Sequence, residues 1–106
     1  MGLQGEVCGA LTGAALVVGL IHGRDQADDQ DAKEAAHTKT GEFVQRFAEI
    51  NGAVRCRDLT GLDVCTQEGL QAYYARNLQA ERCNGVVTNA VRVLLELLDE
   101  WEAGCA

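Results

Sequence analysis

The chain has 106 residues, 47% of them apolar and 24% charged, with a formal net charge of −7. That bounds it to one globular domain with a core of its own and excludes general disorder. The acidic balance makes a nucleic-acid backbone or an anionic membrane surface an unfavourable partner.

Proline is absent and aromatic residues make up only 5%, while Ala, Leu, Val, Glu and Gln are abundant, which favours helices. Residues 5–23, GEVCGALTGAALVVGLIHG, carry no ionised side chain between Glu6 and Arg24. Val7, Leu11, Leu16, Val17, Val18, Leu20 and Ile21 spread around the helical wheel, and a helix with no polar face is expected to be buried. Gly9, Gly13, Ala14 and Gly19 line it with small residues, so neighbouring backbones could approach closely. Glycine costs roughly 0.8–1 kcal/mol per helical position relative to alanine, so these glycines need a packing reason. Cys8 falls in the first turn, where unsatisfied N–H groups favour a thiolate.

The apolar run has no basic residue ahead of it, so no secretory signal is expected. At about 15 residues it also falls short of the roughly 20 that a membrane span needs. A cytoplasmic protein without membrane contact is therefore expected. Five cysteines in that compartment read as thiols, ligands or redox groups before they read as structural bridges. Their odd number leaves at least one unpaired in any disulfide scheme.

The next stretch is acidic, with Asp25, Asp28, Asp29, Asp31 and Glu34. It reads as a solvated connector in which Asp29 or Asp31 caps the following helix. It lacks the glycine turn and closing glutamate of a calcium loop. Over 32–51, Ala36, Thr40, Phe43, Val44, Phe47 and Ile50 recur at three and four residues, one face of an amphipathic helix, which Gly52 would end. Residues 53–61 fit either one helical turn or a brief extended piece. A loop with Cys65 follows, then a helix over about 67–79 with Thr66 and Glu68 at its start. The last helix, 84–101, carries Val87, Val91, Leu94, Leu98 and Trp101 on one stripe and Val86, Ala90, Val93 and Leu97 on a second beside it. A face that wide predicts either several helical neighbours or a subunit interface. These elements predict an all-α bundle of four or five helices with the first threaded through its middle.

Cys8, Cys56 and Cys83 are the candidate chemical residues, each at an element boundary. Cys56 lies between Arg55 and Arg57 and Cys83 follows Arg82, and an arginine turned toward the sulfur would lower the thiol pKa. No CxxC pair exists, so any disulfide or cluster must be assembled from distant parts of the chain. His22 fits a helix C-terminus and His37 the solvated side of its helix. Asp99 and Glu100 read as solvating charges. No Ser-His-Asp arrangement, phosphate loop or nucleotide fingerprint is present.

The segments GEVCGALTGAALVVGL and RCRDLTG, followed by a cysteine ahead of a long apolar helix, together resemble the small proteins named for their C-GCAxxG-C-C cysteine pattern. Cys8, Gly9, Ala10 and Gly13 match the CGAxxG signature, with Cys56 on the CR(D/E)L segment and Cys83 as the final cysteine. The similarity runs to about Leu98. It implies a helical domain with redox-active cysteines, and a related domain in a multihaem cytochrome associated with an iron–sulfur centre implies cluster binding as a further role. Family members carry another cysteine on a helix upstream of CGAxxG. Either this chain lacks that N-terminal part or this variant has lost the cysteine. A four-thiolate iron–sulfur cluster, or another metal, held by Cys8, Cys56 and Cys83 would then need a fourth ligand from Cys65, a partner subunit or a non-cysteine group. Cys105, beside the C-terminus, reads as incidental.

Two functions from different classes follow. In the first, Cys8, Cys56 and Cys83 converge as a disulfide-exchange site or as cluster ligands, working with a redox protein partner. In the second, the chain is a helical homodimer whose cysteines are packing residues and whose last helix makes the contact.

Overall fold

The structure, a computed structural model, describes residues 1–104. It is all-α: α1 (Gly9–His22), α2 (Gln30–Asn51), α3 (Cys56–Thr60), α4 (Gln67–Ala75) and α5 (Asn84–Gly104), with a π-turn (Gln79–Cys83) running straight into α5. Among the described residues the one extended pairing is a single antiparallel bridge between Val7 and Arg55. No helix in this region is long and apolar enough to cross a membrane.

The local signals act where the chemistry places them. Asp29 caps α2, its carboxylate accepting the Ala32 N–H at 3.0 Å and satisfying one of the donors a helix start leaves free. Gly52 (φ 88°) and Gly61 (φ 73°) close α2 and α3 in the left-handed region, where a Cβ would be strained. Residues 53–61, which periodicity leaves open, are both things in turn: a short extended piece through Arg55, then the single turn of α3. Thr66 caps α4, its hydroxyl accepting the Gly69 N–H at 3.0 Å. That helix stops at Ala75, short of the predicted residue 79, because the chain passes through a left-handed Asn77 (φ 51°).

Helices α1, α2 and α5 pack together over Leu11, Ala14, Phe43, Phe47, Val86, Ala90, Val93 and Leu97, and Leu59 of α3 closes one end of this core. The α2 aromatics, four residues apart and therefore on one face, are wholly buried with ring centroids 6.2 Å apart. On the outside, Arg46 of α2 holds Glu100 of α5 with two hydrogen bonds of 2.8 and 3.1 Å. That guanidinium bond keeps the Glu100 carboxyl below the usual carboxylate range. Glu100 is thus more than a solvating charge: it registers α5 against α2.

Two expectations about burial are corrected. The first helix is not threaded through the middle: Leu11, Ala14 and Val18 face inward, but Leu16 (71% exposed), Leu20 (86%) and Ile21 (54%) face outward. With extents of 49 × 27 × 17 Å, the molecule is too thin to surround a helix of about 10–12 Å diameter on all sides. On α5 the buried stripe is Val86, Ala90, Val93 and Leu97, whereas Val87 and Val91 of the other stripe are half exposed. The wide apolar face of α5 is covered along one edge only.

Candidate functional site

The site begins with the short antiparallel pairing. The Cys8 N–H donates to the Val54 carbonyl at 2.8 Å, the Cys56 N–H to the Glu6 carbonyl at 2.7 Å, and the Arg57 N–H to the Gly5 carbonyl at 3.2 Å. Side chains alternate across such a pair, so Cys8 and Cys56, flanking the Val7–Arg55 bridge, fall on one face of it. Cys8 is the N-cap of α1 rather than part of its first turn, and its side chain makes no capping bond. Cys56 opens α3, where the Thr60 hydroxyl donates to its carbonyl at 2.8 Å.

Cys83 arrives from the other side as the last residue of the π-turn. A π-turn carries one residue more than an α-turn, which re-aims the side chains around it; such turns recur at functional sites. The Tyr73 hydroxyl donates to the Cys83 sulfur at 3.6 Å. That bond, with burial and the charges of Cys83 and Cys56, pushes the tyrosine pKa up to about 12, so Tyr73 remains a donor across the biological pH range. Cys56, Cys83, Tyr73, Tyr74, Val64 and Leu3 are among the residues lining a cleft of about 320 Å³.

Of the three expected cysteines, Cys56 and Cys83 share this cleft, and Cys8 does not line it. The Cys56 thiol is pushed up, first by burial and then by the nearby charges of Cys83 and Cys8. Cys65 stands apart: it is exposed and its thiol donates to the Gln4 side-chain oxygen at 3.9 Å. All four of these cysteines are free thiols, and Cys105 lies outside the described residues.

The arginines do something other than expected. Arg55 pairs with Glu6 at 3.1 Å, and Arg57 donates to the Gly5 and Gln4 carbonyls at 3.1 and 3.0 Å and pairs with Glu6 at 3.2 Å. Arg82 donates to the Leu59 and Asn51 carbonyls at 3.0 and 2.6 Å. Their guanidinium groups are spent on backbone and carboxylate, so they fasten the elements that carry the thiols instead of acidifying them. Desolvation then wins at Cys56, and its pKa rises where an arginine beside the sulfur would have lowered it.

Among the described residues, no three His, Cys, Asp or Glu side chains form a group that could hold a metal ion. The cysteines and phenols lining the cleft are Cys56, Cys83, Tyr73 and Tyr74, and two thiols do not fit the four-thiolate set of an iron–sulfur cluster. His22 lies elsewhere, its ring edge-on to Trp101 at 5.5 Å, with its pKa lowered by burial and then by Lys39. His37 is exposed on α2. Sequence reasoning overlooked Tyr73, because residues 67–79 read as one ordinary helix. Its meeting with Cys83 depends on the left-handed residue and the π-turn between them, which leave no periodic trace.

No curated protein and no solved structure matches the chain. A family model does match, over residues 1–97, described as "Putative redox-active protein (C_GCAxxG_C_C)". That span takes in Cys8 and the Gly9 that follows it, the α3 turn with Cys56 and the π-turn with Cys83, and the chain belongs to this C_GCAxxG_C_C family.

Proposed function

We propose that the protein is a two-electron thiol–disulfide carrier in which Cys83 attacks and Cys56 resolves. The observation that carries this reading is the shared cleft, in which Tyr73 donates to the Cys83 sulfur while burial keeps Cys56 protonated. The Tyr73 hydroxyl donates to the Cys83 sulfur, and Cys83 is assigned the attacking role on that contact. In the first step Cys83, its proton given to solvent, attacks one sulfur of a partner protein's disulfide. That S–S bond breaks, a mixed disulfide forms, and the partner's other sulfur leaves as a thiolate and is protonated. Cys56 then loses its proton and displaces the partner's remaining sulfur, closing Cys56–Cys83. Two electrons and two protons pass to the partner, and run backwards the same steps oxidise a partner dithiol. Cys8, which does not line the cleft, is a bystander that opposes ionisation of Cys56.

The test is a redox titration of the anaerobically purified protein in glutathione buffers, with alkylation and mass spectrometry, alongside an absorption spectrum and iron and sulfide assays. The expected product is colourless and forms one Cys56–Cys83 disulfide in a single two-electron transition. Stoichiometric iron and sulfide, or thiols that titrate independently of one another, would overturn the proposal.

The exposed apolar face supports a second reading, a homodimer. Gly9, Gly13, Leu16 and Leu20 form one outward stripe on α1, small in its first half and large in its second, beside the exposed Val87, Val91 and Leu95 of α5. Two chains of charge −7 repel, yet α1 carries no ionised Asp, Glu, Lys or Arg, so two copies can meet there without opposing charges. An antiparallel two-fold contact would set Leu16 and Leu20 of each copy over Gly13 and Gly9 of the other. A Cβ at Gly13 would touch nothing within 4 Å in its own chain. Leu16, Leu20, Val87, Val91 and Leu95 are each at least half exposed, and exposed apolar residues grouped in this way mark an interaction surface. Light scattering at micromolar concentration is expected to give a dimer, and a monomer for the double variant Leu16→Ser, Leu20→Ser. A monomeric wild type would remove this reading and leave the thiol chemistry untouched.

A further inference from the structure

We infer that Arg82 is the positioning residue of the thiol pair: its guanidinium fixes the turn that carries Cys83 against the helix that carries Cys56. The inference rests on the dithiol reading for its consequence but on separate contacts for its geometry. Arg82 Nε donates to the Leu59 carbonyl at 3.0 Å and Nη2 to the Asn51 carbonyl at 2.6 Å. These carbonyls lie in the last turns of α3 and α2, where the final four C=O groups of a helix have no partner along the helix. The negative end of the helix dipole favours a cation at that point, and α2 has no basic residue in its own last turn. Arg82 supplies that charge from 31 positions further along the chain.

The same asparagine is held from a second direction. Asn51 is only 5% exposed, its side-chain amide donates to the Phe47 carbonyl at 3.2 Å, and its side-chain oxygen accepts the Asn89 amide at 3.0 Å. Arg82, just before Cys83, and Asn89, in the helix that follows it, both bind Asn51 at the end of α2. On the other side of the cleft, α3 has five residues, far below the length at which a helix is stable alone. Where Cys56 sits is therefore decided by what α3 is fastened to, and the Arg82 bond to Leu59 fastens it to the Cys83 turn directly.

Loosening that bond lowers the effective concentration of one thiol at the other, and the disulfide becomes easier to reduce. In glutathione buffers Arg82→Gln is expected to lower the equilibrium constant for closing Cys56–Cys83 at least tenfold, about 30 mV for a two-electron couple. Arg82→Lys, which keeps the charge but not the fork, should fall between. Circular dichroism and thermal melting accompany each variant, because simple unfolding would lower both together. A second readout needs no redox chemistry: the rate at which dibromobimane, a short bifunctional thiol reagent, bridges Cys56 and Cys83 in the reduced protein, expected to drop tenfold in Arg82→Gln. A folded Arg82→Gln with unchanged equilibrium constant and unchanged bridging rate overturns the inference. If the wild type bridges but never closes a disulfide, and Arg82→Gln loses bridging, the positioning role stands and the carrier function fails. Should Arg82→Gln not fold, Arg82→Lys and Asn89→Ala decide by the same two readouts, and wild-type values in both would overturn the inference.

Discussion

Cys83→Ser is expected to abolish the intramolecular two-electron transition and to slow reaction with a partner disulfide by at least 100-fold, while Cys56→Ser leaves the first step intact and traps the mixed disulfide at Cys83. The asymmetry follows from the cleft: the Tyr73 hydrogen bond falls on the Cys83 sulfur, whereas burial and two neighbouring sulfurs hold Cys56 in its protonated form. Intact-mass analysis after mixing with an oxidised thiol compound distinguishes the two, since one variant gains the adduct and the other does not. Cys65→Ser, at an exposed thiol outside the cleft, serves as the unchanged control. Equal adduct yields in Cys83→Ser and Cys56→Ser would contradict the assigned order.

The same shift gives a pH dependence with a definite sign. Resolution needs the Cys56 thiolate, so in the wild type the mixed disulfide should persist longer at low pH and collapse faster as pH climbs past the ordinary thiol range. Stability runs the other way. A Cys56 pKa raised in the folded state favours the protonated thiol, a contribution fully present below the unfolded value and lost as pH rises through the folded one.

Phe47→Ala is the largest expected loss of stability, about 3–5 kcal/mol, against a total of roughly 5–15 kcal/mol for a domain of this kind. Phe47 is 0% exposed and sits in the core that α2 shares with α1 and α5, so no solvent-facing rotamer can relieve the cavity. Its carbonyl also accepts the Asn51 amide, which couples the core to the asparagine that Arg82 caps. Urea unfolding followed by circular dichroism measures the effect. A loss below about 1 kcal/mol would mean that α2 is not packed as described, since that is the range of ordinary surface substitutions.

Much of the helical layout was legible along the chain because its causes are local. Asp29 and Gly52 bound α2, Gly61 ends α3 and Thr66 starts α4 through bonds or dihedrals that span at most four residues. Periodicity likewise identifies which side chains share a face. It does not count neighbours, so the apolar wheel of α1 suggested an enclosed helix where the structure covers one side of it, and the two stripes of α5 could not be ranked. An arginine next to a cysteine along the chain was a misleading sign for a related reason: adjacent residues on a helix point about 100° apart, and Arg55, Arg57 and Arg82 found oxygens instead.

What residue order determined alone is most of the helices with their caps and the three candidate cysteines, since turns, caps and signature spacing are written within a few neighbouring positions. What only the folded chain decided is where those sulfurs are placed. Cys56 and Cys83 share a cleft because a two-strand bridge, a five-residue helix and a π-turn are drawn together by contacts spanning tens of residues, Arg82 to Asn51 among them. Bonds of that reach depend on which carbonyls the helix ends leave free and on where the core places them, a matter of three-dimensional packing that no local pattern encodes.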